Sequence, residues 1–192
     1  MGKLSLCREN LIGRFIRDSR ANAAVEFAFI LPLMLTMFFG TVEFSSALSA
    51  NRKVTLVART LSDLVSQSSS VTDTDLTNFG TTGRAIMNPF PLNTNYKTRI
   101  SEIYIDPNTM TGKVIWSKGT GGYPDRAANS SVTVPTALNI GGTYLIYSEV
   151  GYQYVPAVGY VMSMTGVALS DTTYTRPRIS LCVLYATQAC GT

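Results

Sequence analysis

The sequence predicts an α+β chain in which one long N-terminal helix, transmembrane in its first half and amphipathic in its second, packs on a small antiparallel β-sheet. Three observations predict it. Residues 27–42, FAFILPLMLTMFFGTV, run sixteen positions without a charge. Val54, Val57, Leu61, Leu64 and Val65 recur at three- and four-residue steps, the period of one helix face. From Thr98 onward, short runs rich in Ile, Val, Thr and Tyr alternate with Pro, Asn and Gly clusters. The expected division is a basic cytoplasmic leader over 1–21, the helix over 22–66 with its span at about 24–43, and an extracytoplasmic β-rich domain over 67–192.

The leader comes first. Net charge is +4, but residues 1–65 hold eight Lys/Arg against five Asp/Glu, and the rest is nearly neutral. The excess flanks the apolar run and forms no basic face, so a nucleic-acid partner is not expected. Lys3, Arg8, Arg14, Arg17 and Arg20 precede the run, and Arg52, Lys53 and Arg59 follow it. That bias places the N-terminus in the cytoplasm.

Sixteen helical residues cover about 24 Å, and adding Asn22 to Val25 approaches the ~30 Å hydrocarbon thickness. Nine of the sixteen are Phe, Ile, Leu or Val, contributing about 3 to 5 kcal/mol toward insertion. Pro32 frees a backbone carbonyl, which lipid-embedded helices tolerate better than soluble ones. Glu26 opens the span, where a carboxylate is costly unless paired, solvated or protonated. Two readings stay open: an interfacial Glu reaching water or Arg20, and a carboxylate kept for a cation on another subunit. Glu43 is expected at the outer lipid boundary, in water, with helix association as the alternative. The amphipathic pattern then continues to Val65, and SQSSS at 66–70 ends it.

In the last part, strands are expected at Thr98–Asp106, Lys113–Ser117, Ser131–Val134, Thr143–Val155 and Thr165–Leu169. PNTMTG joins the first two as a hairpin. Within Thr143–Val155, Tyr144, Ile146, Ser148, Val150, Tyr152 and Tyr154 share one phase, as in a half-buried strand. A weaker helix signal covers Leu76 to Met87, and residues 118–131, KGTGGYPDRAANSS, read as a surface loop without the Gly-Lys-Ser/Thr ending of a phosphate loop. The many tyrosines fit sheet packing with hydroxyls at the rim, or a tyrosine-lined binding face.

Chemistry is sparse. With no His in the chain, neither Ser-His-Asp nor Cys-His catalysis nor an imidazole metal site can be built. Asp73, Asp75 and Asp106 lie outside any calcium-loop pattern. No catalytic residue, metal or cofactor is expected. Cys182 and Cys190 can pair in an oxidising compartment while Cys7 stays reduced, or remain unpaired thiols. A bridge closing so short a loop is worth ~2.5 kcal/mol in the chain-entropy model.

Residues 14–59, RFIRDSRANAAVEFAFILPLMLTMFFGTVEFSSALSANRKVTLVAR, resemble the N-terminal region of TadE/TadG-like proteins of the tight-adherence (Tad) pilus system. The shared order is a basic stretch, a small-residue run ending in VEF, Leu-Pro within an apolar stretch, and a second Glu-Phe at Glu43-Phe44. The resemblance implies a non-enzymatic, minor pilin-like membrane subunit with a pilin-like build. Its implied partners are membrane lipid, other pilus or pseudopilin subunits, an inner-membrane assembly platform and a prepilin peptidase. It places the scissile bond at Ala21–Asn22, with Ala21 where the family usually has Gly, and makes Glu26 the fifth mature residue. There Glu26 would meet the α-amine of a neighbour's Asn22. Longer TadG-like relatives look like uncut membrane anchors, which is the alternative for this chain. Either way the resemblance implies a single-pass protein of the bacterial inner membrane with a periplasmic C-terminal domain, entering the pilus if processed. A different class also fits: an exported soluble binding domain whose signal peptide is cut after Ser45-Ser46-Ala47.

Overall fold

The computed structural model describes residues 19–92, 96–156, 166–186 and 190, with side chains from Ala23 onward in the first helix. Helix α1 runs unbroken from Ser19 to Ser66, forty-eight residues including Pro32, or about 72 Å. Its halves differ in what they touch. Along the first, Phe29, Met37 and Phe38 stand open, at 80%, 67% and 62% exposure. Along the second, Ala50, Val54, Val57, Ala58, Leu61 and Val65 are fully buried. Fully burying a Val or Leu side chain is worth about 1.5–3 kcal/mol, so this stripe, not helix propensity, holds the distal half in place.

After β1 (Ser70–Val71) comes helix α2 (Asp73–Met87). It starts three residues earlier than the apolar pattern suggests, because Thr72 and Asp75 form a capping box. The Thr72 hydroxyl accepts from the Asp75 N–H at 3.3 Å, and the Asp75 carboxylate accepts from the Thr72 N–H at 2.9 Å. At the other end Lys53 of α1 donates to the Ile86 and Asn88 carbonyls at 2.8 and 2.7 Å. A cation there also suits the negative end of the helix dipole. Gly83 lets the two helices close up: a Cβ at that position would run into the Tyr96 hydroxyl and lie 3.1 Å from Val57.

The sheet holds β2 (Tyr96–Ile105), β3 (Gly112–Thr120), β4 (Ser131–Val132), β5 (Tyr144–Tyr154) and β6 (Val167–Thr175). Their order is β4-β3-β2-β5-β6, antiparallel throughout. The fold class is therefore α+β, a long helix on a curled antiparallel sheet. β2 and β3 form the expected hairpin around residues 107–111, with a bulge at Glu102/Ile103. β7 (Leu184–Tyr185) pairs in parallel with β1, a two-residue ladder that the sequence pattern did not announce.

On β5 the expected phase is the one that faces α1. Ile146, Val150, Tyr152 and Tyr154 join Val54, Val57 and Leu61 in one core. The opposite face departs from the half-buried expectation: Leu145 and Tyr147 are buried as well, at 1% and 8% exposure. Residues 121–130 fold back over the sheet at Tyr147, where Arg126 lies over its ring, and are pinned where the Gly119 N–H donates to Asp125 at 2.6 Å. Tyr147 then stacks on Tyr174 with centroids 4.4 Å apart. β6 continues to Thr175, six residues past the expected end at Leu169.

Candidate membrane span and its junction with the sheet

Every residue from Ala23 to Phe38 is exposed, and no residue from Ala23 to Val42 is buried. By length and composition this is the one described helix able to cross a membrane. Its polar atoms are answered locally: Thr36 donates to the Pro32 carbonyl at 2.8 Å and Thr41 to the Met37 carbonyl at 2.9 Å. Glu26 is exposed on this bare segment. The proposed scissile pair, Ala21 and Asn22, lies within the helical backbone of α1. Cys7 and the basic residues Lys3, Arg8, Arg14 and Arg17 lie outside the described residues.

Glu43 corrects the sequence reading. It is 4% exposed, not solvated, and the Tyr154 hydroxyl donates to its Oε2 at 2.9 Å. Burial, with the Glu43 contact next, raises the Tyr154 pKa above the ordinary phenol value, and Ser46 shares the hydrogen-bonding group. A carboxylate removed from water needs such donors. The last strand residue of β5 thus ties down α1 where the bare segment ends.

A second buried carboxylate sits at the far end. Glu102, 1% exposed, accepts the Val183 N–H at 2.6 Å. Its cross-strand neighbour Trp116 donates Nε1–H to the Val183 carbonyl at 2.8 Å. The pair holds both polar groups of one residue, and beside it Cys182 is joined to Cys190 by a disulfide, Cα–Cα 5.9 Å. Burial pushes the Glu102 carboxyl up to about 7, against the pull of the Val183 N–H and Trp116. The alternation of Ile100 and Glu102 was the available signal: a charge in the apolar phase of a strand needs an internal partner.

On the outer face, Glu149 takes a two-pronged contact from Arg99, at 2.6 and 2.8 Å, and a second from Arg126, at 3.2 and 2.9 Å. Burial alone would raise the Glu149 carboxyl; the two guanidiniums outweigh it and hold it below its usual value. Arg99 and Arg126 also lie over the Tyr123 and Tyr147 rings. Tyr123 and Tyr147 thus pack against the guanidiniums of this cluster.

The three aspartates weighed for calcium serve as local ties. Asp73 meets Lys118 at 2.9 Å and Tyr185 at 2.8 Å, Asp75 belongs to the capping box, and Asp106 meets Lys113 at 2.8 Å. Among the described residues no group of three or more His, Cys, Asp or Glu side chains could hold a metal.

A bare apolar half-helix and a seated half, joined at a buried carboxylate, define an α+β protein with, among the described residues, a single helix fit to cross a membrane. Residues 22–62 match the family model of TadE-like proteins. The TadE likeness thus covers the bare segment and most of the seated half of α1, and does not reach the sheet. No curated protein and no solved structure matches the chain.

Proposed function

We propose that this chain is a membrane-anchored, non-enzymatic, minor pilin-like subunit of a tight-adherence pilus machine. Its N-terminus faces the cytoplasm and its sheet domain the periplasm. The observation that carries the reading is the abrupt change at Glu43. The twenty residues from Ala23 to Val42 are bare and about 30 Å long, one hydrocarbon thickness. Above them, the same helix becomes the core of the sheet domain. Such a rod can stand in lipid, or among like helices, while it carries a folded head.

Glu26 lies seventeen residues below Glu43, about 25 Å along the helix, at the opposite lipid edge. Processing at Ala21–Asn22 creates an α-amine there, and a neighbour's Glu26 is its natural counter-charge. In a low dielectric an unpaired carboxylate is costly, so the pair favours one stagger between subunits. Neighbouring pilus subunits, the assembly platform and a prepilin peptidase are the partners this chemistry needs. A conventional signal peptide fits less well, because a cut before Leu48 removes Glu43, the acceptor of the buried Tyr154 hydroxyl, and Ala47, which packs on the core.

The test is N-terminal sequencing of the protein from carbonate-washed membranes. Asn22 as first residue is the expected result, and Met1 marks an uncut anchor. Leu48, or a protein wholly in the soluble fraction, overturns the reading. Glu26→Gln is expected to abolish incorporation into the assembly without loss of folded monomer; unchanged assembly removes the pairing.

A further inference from the structure

We infer that the end of the sheet domain nearest the span rests on the lipid surface, so that the protein meets the bilayer twice, through α1 and through a rim of Pro91, Leu92 and Val155. This rests on the anchor reading above and adds a second contact to it.

Two ties set the geometry. Ser62 of α1 donates to the Ile146 carbonyl of β5 at 3.4 Å, and Tyr154 donates to Glu43 at 2.9 Å. The ties are nineteen residues apart on the helix, about 28 Å, and eight apart on the strand, about 26 Å. Helix and strand therefore run side by side in opposite senses, and β5 comes down to the level at which α1 turns bare. Val155, the next residue, is half exposed at 50%. The Tyr152 hydroxyl donates to the Pro91 carbonyl at 3.1 Å, which draws the segment after α2 to the same end. There Phe90 packs its ring against Tyr152 and Tyr154, with centroids 6.3 and 6.1 Å away. On the helix itself Phe44 is 66% exposed at this height.

Charge marks the same end. The described residues that lead from and to the strands here, 85–92, 96, 150–156 and 166–170, include no Asp, Glu, Lys or Arg. The opposite end carries the Asp106–Lys113 and Asp63–Arg178 ion pairs, at 2.8 and 2.6 Å. The nearest charged groups, Lys53 and Glu43, are tied inward to the Asn88 carbonyl and the Tyr154 hydroxyl, which leaves Pro91, Leu92 and Val155 as an uncharged edge. Such an edge suits the headgroup boundary, where apolar and aromatic side chains are favoured. The occupant is the bilayer interface.

The experiment uses the full chain in phosphatidylcholine vesicles whose acyl chains carry bromine either close to the headgroup or near the methyl end. The native protein has one Trp, Trp116, 4% exposed in the sheet, which serves as the background signal. Val155→Trp reports the rim and Phe38→Trp the span. The expected result is that the Val155→Trp signal above background falls with shallow bromine and little with deep bromine, while the Phe38→Trp signal falls with deep bromine. A Phe38→Trp signal that is quenched beside a Val155→Trp signal that is not overturns the rim contact and leaves the anchor standing. If neither is quenched, the anchor reading falls and the rim with it.

Discussion

Glu43 and Tyr154 lie 111 residues apart in the chain, and one hydrogen bond of 2.9 Å joins the end of the bare half-helix to the end of β5. Both side chains are buried, at 4% and 5% exposure, and the bond stands at the boundary between an exposed segment and a packed domain. Tyr154→Phe removes the donor while keeping the ring that packs on Phe90. Leaving a buried acceptor without its donor costs about 1–3 kcal/mol. Urea unfolding of the detergent-solubilised chain is expected to show that loss, with helix content at zero denaturant unchanged.

Glu102 makes stability depend on pH. Its folded pKa, about 7, lies above the ordinary value of 4.5 because burial disfavours the charged form. The contribution of the group is fully present below pH 4.5 and is lost as pH rises through about 7, when folding must hold a charge that the unfolded chain carries freely in water. The shift corresponds to about 3 kcal/mol across that window. The urea midpoint is expected to fall between pH 5 and pH 8 (about those values), and Glu102→Gln is expected to flatten the slope. A slope that survives in the Gln variant assigns the dependence to another group.

How far these sites were legible depends on the range over which each is encoded. The exposed apolar half of α1 was legible because sixteen consecutive residues spell it without reference to anything else. The inner face of β5 was legible because parity within one strand sorts its side chains. Glu43 was misread because its partner lies on a strand at the other end of the chain, and local pattern makes a Glu after an apolar run look like a residue meeting water. β6 was cut short at Leu169 because Ser170–Thr175 is polar in both phases, as an edge strand can be. β1 and β7 are two residues each, too short for any period to register.

The disulfide is predicted to act locally. Cys182 is buried beside Val183, whose peptide Glu102 and Trp116 hold, and the bridge closes a loop between positions eight apart. Replacing both cysteines by serine is expected to cost ~2.5 kcal/mol and to raise hydrogen exchange at Leu184 and Ala186, whose N–H groups donate to Ser69 and Val71. Exchange at the Glu43–Tyr154 junction is expected to stay as in the parent, because that junction lies at the opposite end of β5 from Ile146 and the Ser62 tie. Equal loosening at both ends would show that the domain unfolds as one unit.

Gly83 tests how tightly the helices must close. A Cβ there meets the Tyr96 hydroxyl and Val57, and neither gives way easily: Tyr96 is 3% exposed and Val57 fully buried. Gly83→Ala gains up to about 1 kcal/mol of helix propensity but forces α2 outward, and overpacking of this kind costs about 1–3 kcal/mol. Net destabilisation is expected, visible as a lower thermal midpoint, where the same change at Gly80, with open space around its Cβ position, is expected to stabilise.

The outer-face cluster turns on shape as much as on charge. Arg99 reaches both oxygens of Glu149 through Nε and Nη2, and its guanidinium lies 5.2 Å from the centroid of the Tyr123 ring. Lysine keeps the charge but has neither the planar fork nor the stacking surface. Arg99→Lys is therefore expected to cost about 1–2 kcal/mol, little of it recovered at high salt. Glu149→Gln should cost more, since it leaves two guanidiniums facing each other without the carboxylate that both were placed to share. Of the two, Arg126 stands on the folded-back segment and has the freer path to water, so that segment is where the damage should appear, as faster proteolysis near residue 126 at unchanged helix content. If cleavage there is no faster, residues 121–130 are held by the Gly119–Asp125 and Val114–Asn129 hydrogen bonds rather than by the shared carboxylate.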